Sequence, residues 1–210
     1  PIGIFAITFQ LANSIGLGTF AALGKLAIVV FLATLFHGLV VLPRIAWILG
    51  GVGPGQLFTE IGQPLITALS TSSSAATLPV SMATAQDKFK VTPEISSVVL
   101  PLGATVNMDG TALFEGVAAV FLAQMFGIPL DPITITTIFL VAMMASIGAP
   151  GIPSGSMAGM QLVLLSIGIP LEAIALLLII ERPLDTFRTA VNVEGDLVGC
   201  IFVSKKAQST

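Results

Sequence analysis

The sequence has few charged residues, a single cysteine, a single histidine and no tyrosine. Charged residues make up 9% of the 210 positions and hydrophobic residues 55%, and the mean hydropathy is +1.03. This composition is too apolar for a soluble domain, so it predicts an integral membrane protein. One cysteine excludes an intrachain disulfide and a cysteine-based metal motif. The net charge of -3 and the lack of a basic cluster argue against nucleic-acid binding.

Apolar segments recur along the whole chain, and none has the layout of a removable signal peptide. Positions 2–11 predict a short or incomplete helix. Positions 19–42 form an apolar run that exceeds the roughly 20 residues of a membrane span, and His37 within it is expected to be a packed helix residue. The glycine-rich positions 50–55 predict a loop. Because the chain begins at Pro1 inside an apolar pattern, we expect a piece of a longer protein.

Two regions consist of paired apolar segments that are too short to span a membrane. The first covers 56–90 and has a serine-rich centre at 70–77, and the second covers 133–168 and has a centre at 148–156 rich in glycine and proline. Pairs of half-length helices around such centres favour re-entrant hairpins. The free N–H groups and the positive dipole end at the start of the second half-helix would favour a carboxylate.

Between the hairpins, residues 94–127 predict a helix that is interrupted in its middle. The interruption contains Asn107, Asp109, Gly110 and Thr111 within strongly apolar sequence. A bilayer has no water to satisfy freed backbone groups or to solvate a carboxylate. We therefore interpret the stretch as a cation site built from unwound carbonyls, an asparagine amide and a carboxylate.

The last predicted helix, 171–203, is apolar at first and densely polar in its second half. One polar stripe has the helical spacing i, i+4, i+7 and i+11, and it consists of Asp185, Thr189, Asn192 and Asp196. Glu181 extends this stripe by one turn. Beside it, Arg188 offers a planar fork to a carboxylate, and Asp185 can accept from an ammonium group. Asn192 and Asp196 supply oxygens suited to a hard cation such as sodium.

The order of hairpin followed by polar-centred helix occurs twice. Both polar centres contain the pattern Asn-x-acid-Gly, at 107–110 and at 192–195. The matched architecture around the two patterns predicts an internal inverted repeat. Repeats whose interrupted helices meet at the bilayer midplane are a plan of secondary transporters.

Four motifs, taken in order, resemble the glutamate transporter family, the dicarboxylate/amino acid:cation symporters. They are 72–79 (SSSAATLP), 107–111 (NMDGT), 146–153 (SIGAPGIP) and 185–192 (DTFRTAVN). The resemblance covers essentially the whole chain. It implies an all-α membrane protein in which residues 1–210 form an elevator-type transport domain of transmembrane helices and two re-entrant hairpins. The N-terminal scaffold half, which makes most of the homotrimer in this family, would be absent from this chain.

The resemblance also implies the binding residues. An acidic amino acid would be held by Ser74 and Ile152 through their backbone, and by Thr111, Asp185, Arg188, Thr189 and Asn192. One sodium ion would be held by the Gly103, Asn107 and Asn192 carbonyls and the Asp196 carboxylate, and a second by the backbone at Thr105, Ser146, Ile147 and Ala149. A third would involve Asn107 and Asp109 with ligands from the absent third helix, and Met108 would lie between the sodium and substrate sites.

The predicted function is sodium-coupled symport of aspartate or glutamate by an elevator motion in the plasma membrane, which the protein would cross several times. Hairpin 2 would be the extracellular gate, and hairpin 1 would face the cytoplasm. Sodium is the only expected cofactor. The expected partners are the acidic amino acid, sodium ions, the lipid bilayer and the scaffold half.

The chain departs from family members that take acidic amino acids. Such members often carry a second Arg, in the serine tip or just after the aspartate, where this chain has Ser72 and Thr186. Arg182 is nearby but not equivalent, and Ala75 stands where many members have Ser. A C4-dicarboxylate or a neutral amino acid therefore stays open as the substrate, although the ammonium partner Asp185 would be wasted on a dicarboxylate.

From another class, an intramembrane aspartyl protease could use Asp109 and Asp196. Such an enzyme requires a Tyr-Asp and a Gly-x-Gly-Asp pair. This chain has no tyrosine, and Asp196 follows Val-Glu-Gly. We therefore expect no enzymatic activity.

Overall fold

The computed structural model describes Phe9 and residues 17–208. All regular elements in these residues are helical, as predicted. The helix predicted at positions 2–11 lies outside the described residues except for Phe9.

The first helix, α1, is longer than the predicted span. It begins with α-helical turns at Leu17–Phe36 and continues through π-helical His37–Val41, α-helical Leu42–Ile45 and π-helical Ala46–Gly50. Pro43 lies within it and lacks the N–H group that a helical ladder requires. The helix ends only at Gly51, whose φ of 74° is the left-handed conformation typical of a helix C-terminus.

Helices α2 (Pro54–Thr71) and α3 (Ser74–Asp87) form the first predicted helix pair. They pack against each other and are joined by two residues only. Ser72 ends α2 with a left-handed φ of 50°, and the Ser73 hydroxyl caps α3 by accepting from the Ala76 N–H at 3.1 Å. Both helices reach further than the apolar segments 58–69 and 78–85 that predicted them, because Pro54 and the cap Ser73 rather than hydrophobicity define where they begin.

Helices α4 (Pro93–Val106) and α5 (Asp109–Met125) are the two parts of the predicted interrupted helix. The break consists of Asn107 and Met108, which is shorter than the predicted interruption. Asp109 and Gly110 already belong to the first turn of α5, where the positive end of the helix dipole favours an acidic side chain.

Helices α6 (Pro132–Ile147) and α7 (Ser156–Ser166) form the second pair, and residues 148–155 connect them. Asp131 caps α6 by accepting from the Thr134 N–H at 2.8 Å. A short 3-10 turn, Leu171–Ala173, then leads into α8 (Ile174–Gln208), which extends five residues beyond its predicted end at Val203.

Helix α8 is at the centre of the fold. It packs against α2, α3 and α4 around one apolar cluster that includes Leu57 and Leu197. It packs against α1 and α5 around a second cluster that includes Leu122 and Leu177. A third cluster around Ile138 joins α5, α6 and α7. This packing encloses the polar half of α8, and every residue from 188 to 198 is buried.

In the described part of the chain, two helical stretches, Gly18–Gly50 and Pro93–Met125, are long and apolar enough to cross a membrane. Each has 33 residues, and the second contains the break. Large apolar side chains are exposed on α1 and α6, among them Ile28, Leu32 and Ile133. Such a surface suits contact with lipid or with further protein.

Candidate functional site

Three irregular segments meet at the middle of α8. We call them the first tip (Ser72 and Ser73), the break (Asn107 and Met108) and the second tip (residues 148–155). A small cavity lies among them. Its lining residues are Ser72, Ser74, Met108, Thr111, Ala149, Pro150, Gly151, Ile152, Gly155, Ser156, Asp185, Thr189 and Asn192.

Six of the seven predicted substrate residues line this cavity, and only Arg188 does not. Thr111, Asp185, Thr189 and Asn192 present buried polar side chains there. The Ile152 N–H, a predicted substrate donor, is bonded to the Pro150 carbonyl at 2.8 Å. Ligand binding by these residues remains a prediction, but the folded chain brings them together.

Asn192 connects α8 to the beginning of α5. Its Oδ1 accepts from the Gly110 N–H at 2.8 Å, and its Nδ2 lies 3.2 Å from the Thr111 hydroxyl and 3.3 Å from the Met108 sulfur. A Cβ at Gly110 would lie 2.8 Å from the Arg188 carbonyl, so only glycine permits this approach. One amide side chain therefore fixes the break against α8.

Three of the four residues predicted for the first sodium ion are adjacent. The Asn107 Nδ2 donates to the buried Asp196 Oδ1 at 3.1 Å. A Cβ at Gly103 would lie 2.6 Å from the same oxygen, so α4 passes directly over this carboxylate. Asn192 lies one turn before Asp196 on α8.

The residues predicted for the second sodium ion lie at two helix ends. Thr105 is in the last turn of α4, and Ser146 and Ile147 end α6. The Thr105 and Ser146 hydroxyls bond to carbonyls of their own helices at 3.1 Å and 2.9 Å. The C-terminal end of a helix carries partial negative charge, which suits a cation. One carbonyl there, that of Ser146, also accepts from the Ala149 N–H at 3.2 Å.

His37 has a polar partner that the sequence analysis missed. Its Nε2 lies 2.6 Å from Oδ2 of Asp109, and both side chains are 24% exposed. His37 is therefore more than the packed helix residue expected from its apolar neighbours. The two residues are 72 positions apart, and no spacing rule could have paired them. Together with Asn107 they line an apolar groove of about 770 Å³ between α5 and α6.

Arg188 is paired within its own helix. It is 1% exposed, and its Nη2 donates to the Glu181 Oε1 at 3.0 Å and to the Asp185 Oδ1 at 2.9 Å. The guanidinium carbon lies 4.0 Å from the centre of the Phe114 ring, a cation–π contact. Arg182, which the sequence analysis set aside, reaches the same Asp185 at 3.3 Å from a largely exposed position.

The second tip is hydrogen-bonded to α8 on one side and to the first tip and the start of α3 on the other. The Ser154 N–H donates to the Asp185 Oδ2 at 2.9 Å, and the Ser154 hydroxyl donates to the Glu181 Oε2 at 2.9 Å. On the other side, the Gly151 carbonyl accepts from the Ser73 hydroxyl at 2.7 Å and from the Ala75 N–H at 3.2 Å. These bonds hold the tip over the cavity.

Buried acidic side chains outnumber buried basic ones in the described part of the chain. Five acidic side chains are buried there, against the single guanidinium of Arg188: Glu115, Glu181, Asp185, Glu194 and Asp196. Of these five, only Asp185 lines the cavity. Both oxygens of Glu115 and one of Glu194 have no hydrogen-bond partner. The sequence analysis did not single out these two acids, although Glu194 is part of the repeated pattern. The described residues contain no cluster of three His, Cys, Asp or Glu side chains that could hold a metal ion, so carbonyl and amide oxygens would have to complete any cation site.

The fold and the site define a helical membrane protein whose tips and helix break converge on one polar helix. Residues 1–206 match the sodium:dicarboxylate symporter family, and the chain belongs to this family. The predicted resemblance is therefore confirmed. Members of this family are transporters rather than enzymes, so the prediction that the protein is not an enzyme is also confirmed, and the protease alternative falls.

Several curated relatives are similar over most of the chain. Excitatory amino acid transporter 2 of Mus musculus is 44% identical over 187 residues, 89% of this chain and 33% of the relative. Excitatory amino acid transporter 3 of Mus musculus is 43% identical over 206 residues, 98% of this chain and 39% of the relative. Neutral amino acid transporter B(0) of Mus musculus is 43% identical over 180 residues, 86% of this chain and 32% of the relative. The chain thus spans about a third of the length of these relatives.

Proposed function

We propose that this chain is the transport domain of a sodium-coupled amino acid symporter. The observation that supports this function most directly is the pair of buried aspartates on α8: Asp185 lines the cavity, and Asp196 lies against the break. A buried carboxylate is costly unless a positive partner accompanies it. Arg188 pairs with Asp185 and Glu181, whereas Asp196 is bonded only to the neutral Asn107 amide, and a bound sodium ion would supply its positive partner. The family to which the chain belongs, and relatives named as amino acid transporters, agree with this proposal.

In this proposal an amino acid occupies the cavity between the two tips. Its ammonium group would bind Asp185, and Thr111, Thr189 and Asn192 would contact the rest of the ligand. Sodium would bind near Asp196 and Asn107, beneath the break. The second tip is held by the bond that it accepts from Ser73 and by the bonds that its own Ser154 donates to α8. Opening requires only that these few contacts break, which supports the assignment of this tip as the gate.

The proposed substrate is an acidic amino acid, because Arg188 is the one buried cation among the described residues. A neutral amino acid is a second candidate. It is favoured by the pairing of Arg188 with two carboxylates and by the similarity to a relative named as a neutral amino acid transporter. A C4-dicarboxylate lacks the ammonium group that Asp185 would bind.

The hairpins, the elevator motion and the plasma-membrane location are part of the same proposal. At about 1.5 Å per residue, the 18-residue α2 and the 14-residue α3 are both shorter than a hydrocarbon core of about 30 Å. Lys88 and Lys90 follow α3, and Lys205 lies against Gly51, just before α2. Positive charge at this end of the fold supports a cytoplasmic orientation for the open end of the first hairpin. A scaffold half and a homotrimer are proposed for the longer protein.

Ligand titration of the purified chain, in detergent or nanodiscs, tests the proposal. Aspartate, glutamate, serine and succinate would be titrated by calorimetry in sodium chloride and in choline chloride. We expect aspartate to bind tightly only in sodium, because each ligand raises the affinity of the other when the two share a closed site. Equal aspartate affinity in the two salts would overturn the proposal. If succinate binds as tightly as aspartate, the proposed substrate would be a dicarboxylate instead of an amino acid.

A further inference from the structure

The guanidinium of Arg188 has no free two-donor edge. A guanidinium grips a carboxylate through two parallel N–H groups, either Nη1 with Nη2 or Nε with Nη2. Nη2 belongs to both edges, and its two hydrogens are directed to Glu181 and Asp185. The Nε and Nη1 atoms have no partner, but neither edge can be completed while Nη2 is occupied. A ligand carboxylate that binds the guanidinium through two parallel N–H groups must therefore displace one of the two acids.

Glu181 is the acid that can leave. Asp185 accepts from three groups, Arg188, Arg182 and the Ser154 N–H, and it lines the cavity where the ligand's ammonium group is proposed to bind. Glu181 accepts from Arg188 and from the Ser154 hydroxyl, and it does not line the cavity. No ligand group has been assigned to it.

We propose that Glu181 is a specificity-determining residue that occupies Arg188 in place of a ligand carboxylate. This inference rests on the proposed function and deepens it. A ligand with an acidic side chain must break the pair between Glu181 and Arg188 before it can form a two-donor contact with the guanidinium. A ligand with a small neutral side chain leaves the pair intact. The strength of the pair therefore sets the preference of the site between acidic and neutral amino acids.

Ser154 positions Glu181 for this competition. Its hydroxyl holds the Glu181 Oε2 while the Oε1 accepts from Arg188. Because Ser154 belongs to the second tip, the acid is anchored between the tip and α8. Loss of the hydroxyl weakens the anchor without changing any charge, and the Ser154 N–H can still donate to Asp185.

The test compares aspartate and serine binding to the purified chain and its Glu181→Gln variant by calorimetry at saturating sodium. Gln keeps the size of the side chain and removes its charge. We expect the affinity for aspartate to rise about tenfold or more, because the variant loses one charge-assisted hydrogen bond that competes with the ligand for Arg188. The affinity for serine should change less than about threefold. Glu172→Gln is the matched control, since it removes an exposed acid just before α8, and it should change neither affinity.

Ser154→Ala provides a second measurement that keeps every charge. We expect a smaller gain in aspartate affinity, about threefold, with serine unchanged, and this variant decides the matter if Glu181→Gln does not fold. Aspartate affinity that fails to rise, or that rises together with serine affinity, overturns the role of Glu181. A parent chain that binds neither amino acid in sodium overturns the proposed function and this inference with it, whereas a parent that binds aspartate makes the variants a test of Glu181 alone.

Discussion

The two copies of the Asn-x-acid-Gly pattern adopt different backbones. In the first copy, the helix breaks at Asn107, whose ψ is 75°, and Met108. In the second copy, residues 192–195 lie inside the unbroken 35-residue helix α8. The same four-residue pattern therefore does not decide whether a helix breaks.

The difference follows from how the copies bond to each other. Asn192 of the second copy accepts from the Gly110 N–H of the first, and Asn107 of the first donates to Asp196 just beyond the second. A break inside an apolar region is tolerated where neighbouring side chains satisfy the freed polar groups. The first copy thus contributes backbone groups that the helix break leaves free, and side chains in and beside the second copy bond to this region.

The tips of the two helix pairs differ in a similar way. The first tip has two residues, both buried, whereas the second has eight and includes Ile152, which is 57% exposed. A short buried tip is held by the surrounding fold, and a long exposed one is held by a few hydrogen bonds. This contrast agrees with the proposal that only the second tip is a gate.

The largest expected effect concerns Arg188, one helical turn before the second copy, and tests whether it selects the ligand. Arg188→Thr should lower aspartate affinity by about 30-fold or more, since losing one partner of a buried charge pair costs roughly 2–5 kcal/mol. Serine affinity should fall much less. Arg44→Thr, which removes an exposed arginine of α1, is the control for titrations in sodium. If aspartate and serine affinity fall together, Arg188 has a structural role.

The next effect tests whether the two copies are closely packed against each other. A Cβ at Gly195 would lie 2.7 Å from the Asn107 Nδ2, so Gly195→Ala should destabilise the fold by roughly 1–3 kcal/mol. Gly199→Ala on the same helix meets no atom within 4 Å and should be neutral or slightly stabilising, because alanine favours helix. Denaturation of both variants measures the difference. Equal stability would mean that the contact between the copies yields without strain.

A smaller effect tests the cation role of Asp196, just beyond the second copy. Asp196→Asn keeps the shape of the side chain and replaces a full charge by a dipole, so the sodium affinity should fall about tenfold. The sodium dependence of aspartate binding measures it, with the exposed Asp87→Asn as the control. A variant that binds sodium as well as the parent would remove Asp196 from the proposed site.

The smallest effect concerns the start of the second helix pair. The Thr134 N–H bonded to Asp131 lowers the pKa of this exposed carboxyl. Asp131→Ala should lower the melting temperature by no more than a few degrees. Because the pKa is lowered in the folded state, the cap stabilises at neutral pH, and this contribution disappears as the pH falls through the folded pKa. Parent and variant should therefore melt together in acid, and a difference that persists there would contradict the assignment.

The sequence predicted the helices better than their ends. Pro54, Pro93 and Pro132 stand in the first turn of α2, α4 and α6, yet hydrophobicity placed those starts up to four residues late. Asp109 was assigned to the interruption because a carboxylate is costly in an apolar region. In the fold it begins a helix, where the dipole and His37 accompany it.

The candidate site was predictable where one helix carries its residues. The spacing of Asp185, Thr189 and Asn192 was enough to bring them to one cavity. Glu181 and Arg188 are seven residues apart, about two helical turns, so the same spacing rule places both on one side of α8. Contacts between distant segments, such as that of Ser154 with Glu181, depend on how the second tip folds back, and no local pattern encodes that.

The unbalanced charge around α8 has an electrical consequence. If the domain moves across the membrane as proposed, each uncompensated elementary charge that crosses 100 mV changes the free energy by about 2.3 kcal/mol. Asp196, whose hydrogen-bond partner is the neutral Asn107 amide, would add a negative charge to the empty domain when ionised, whereas a bound cation would neutralise that charge. Voltage would then act mainly on the return of the empty domain, and charge movements recorded at different sodium concentrations would reveal it.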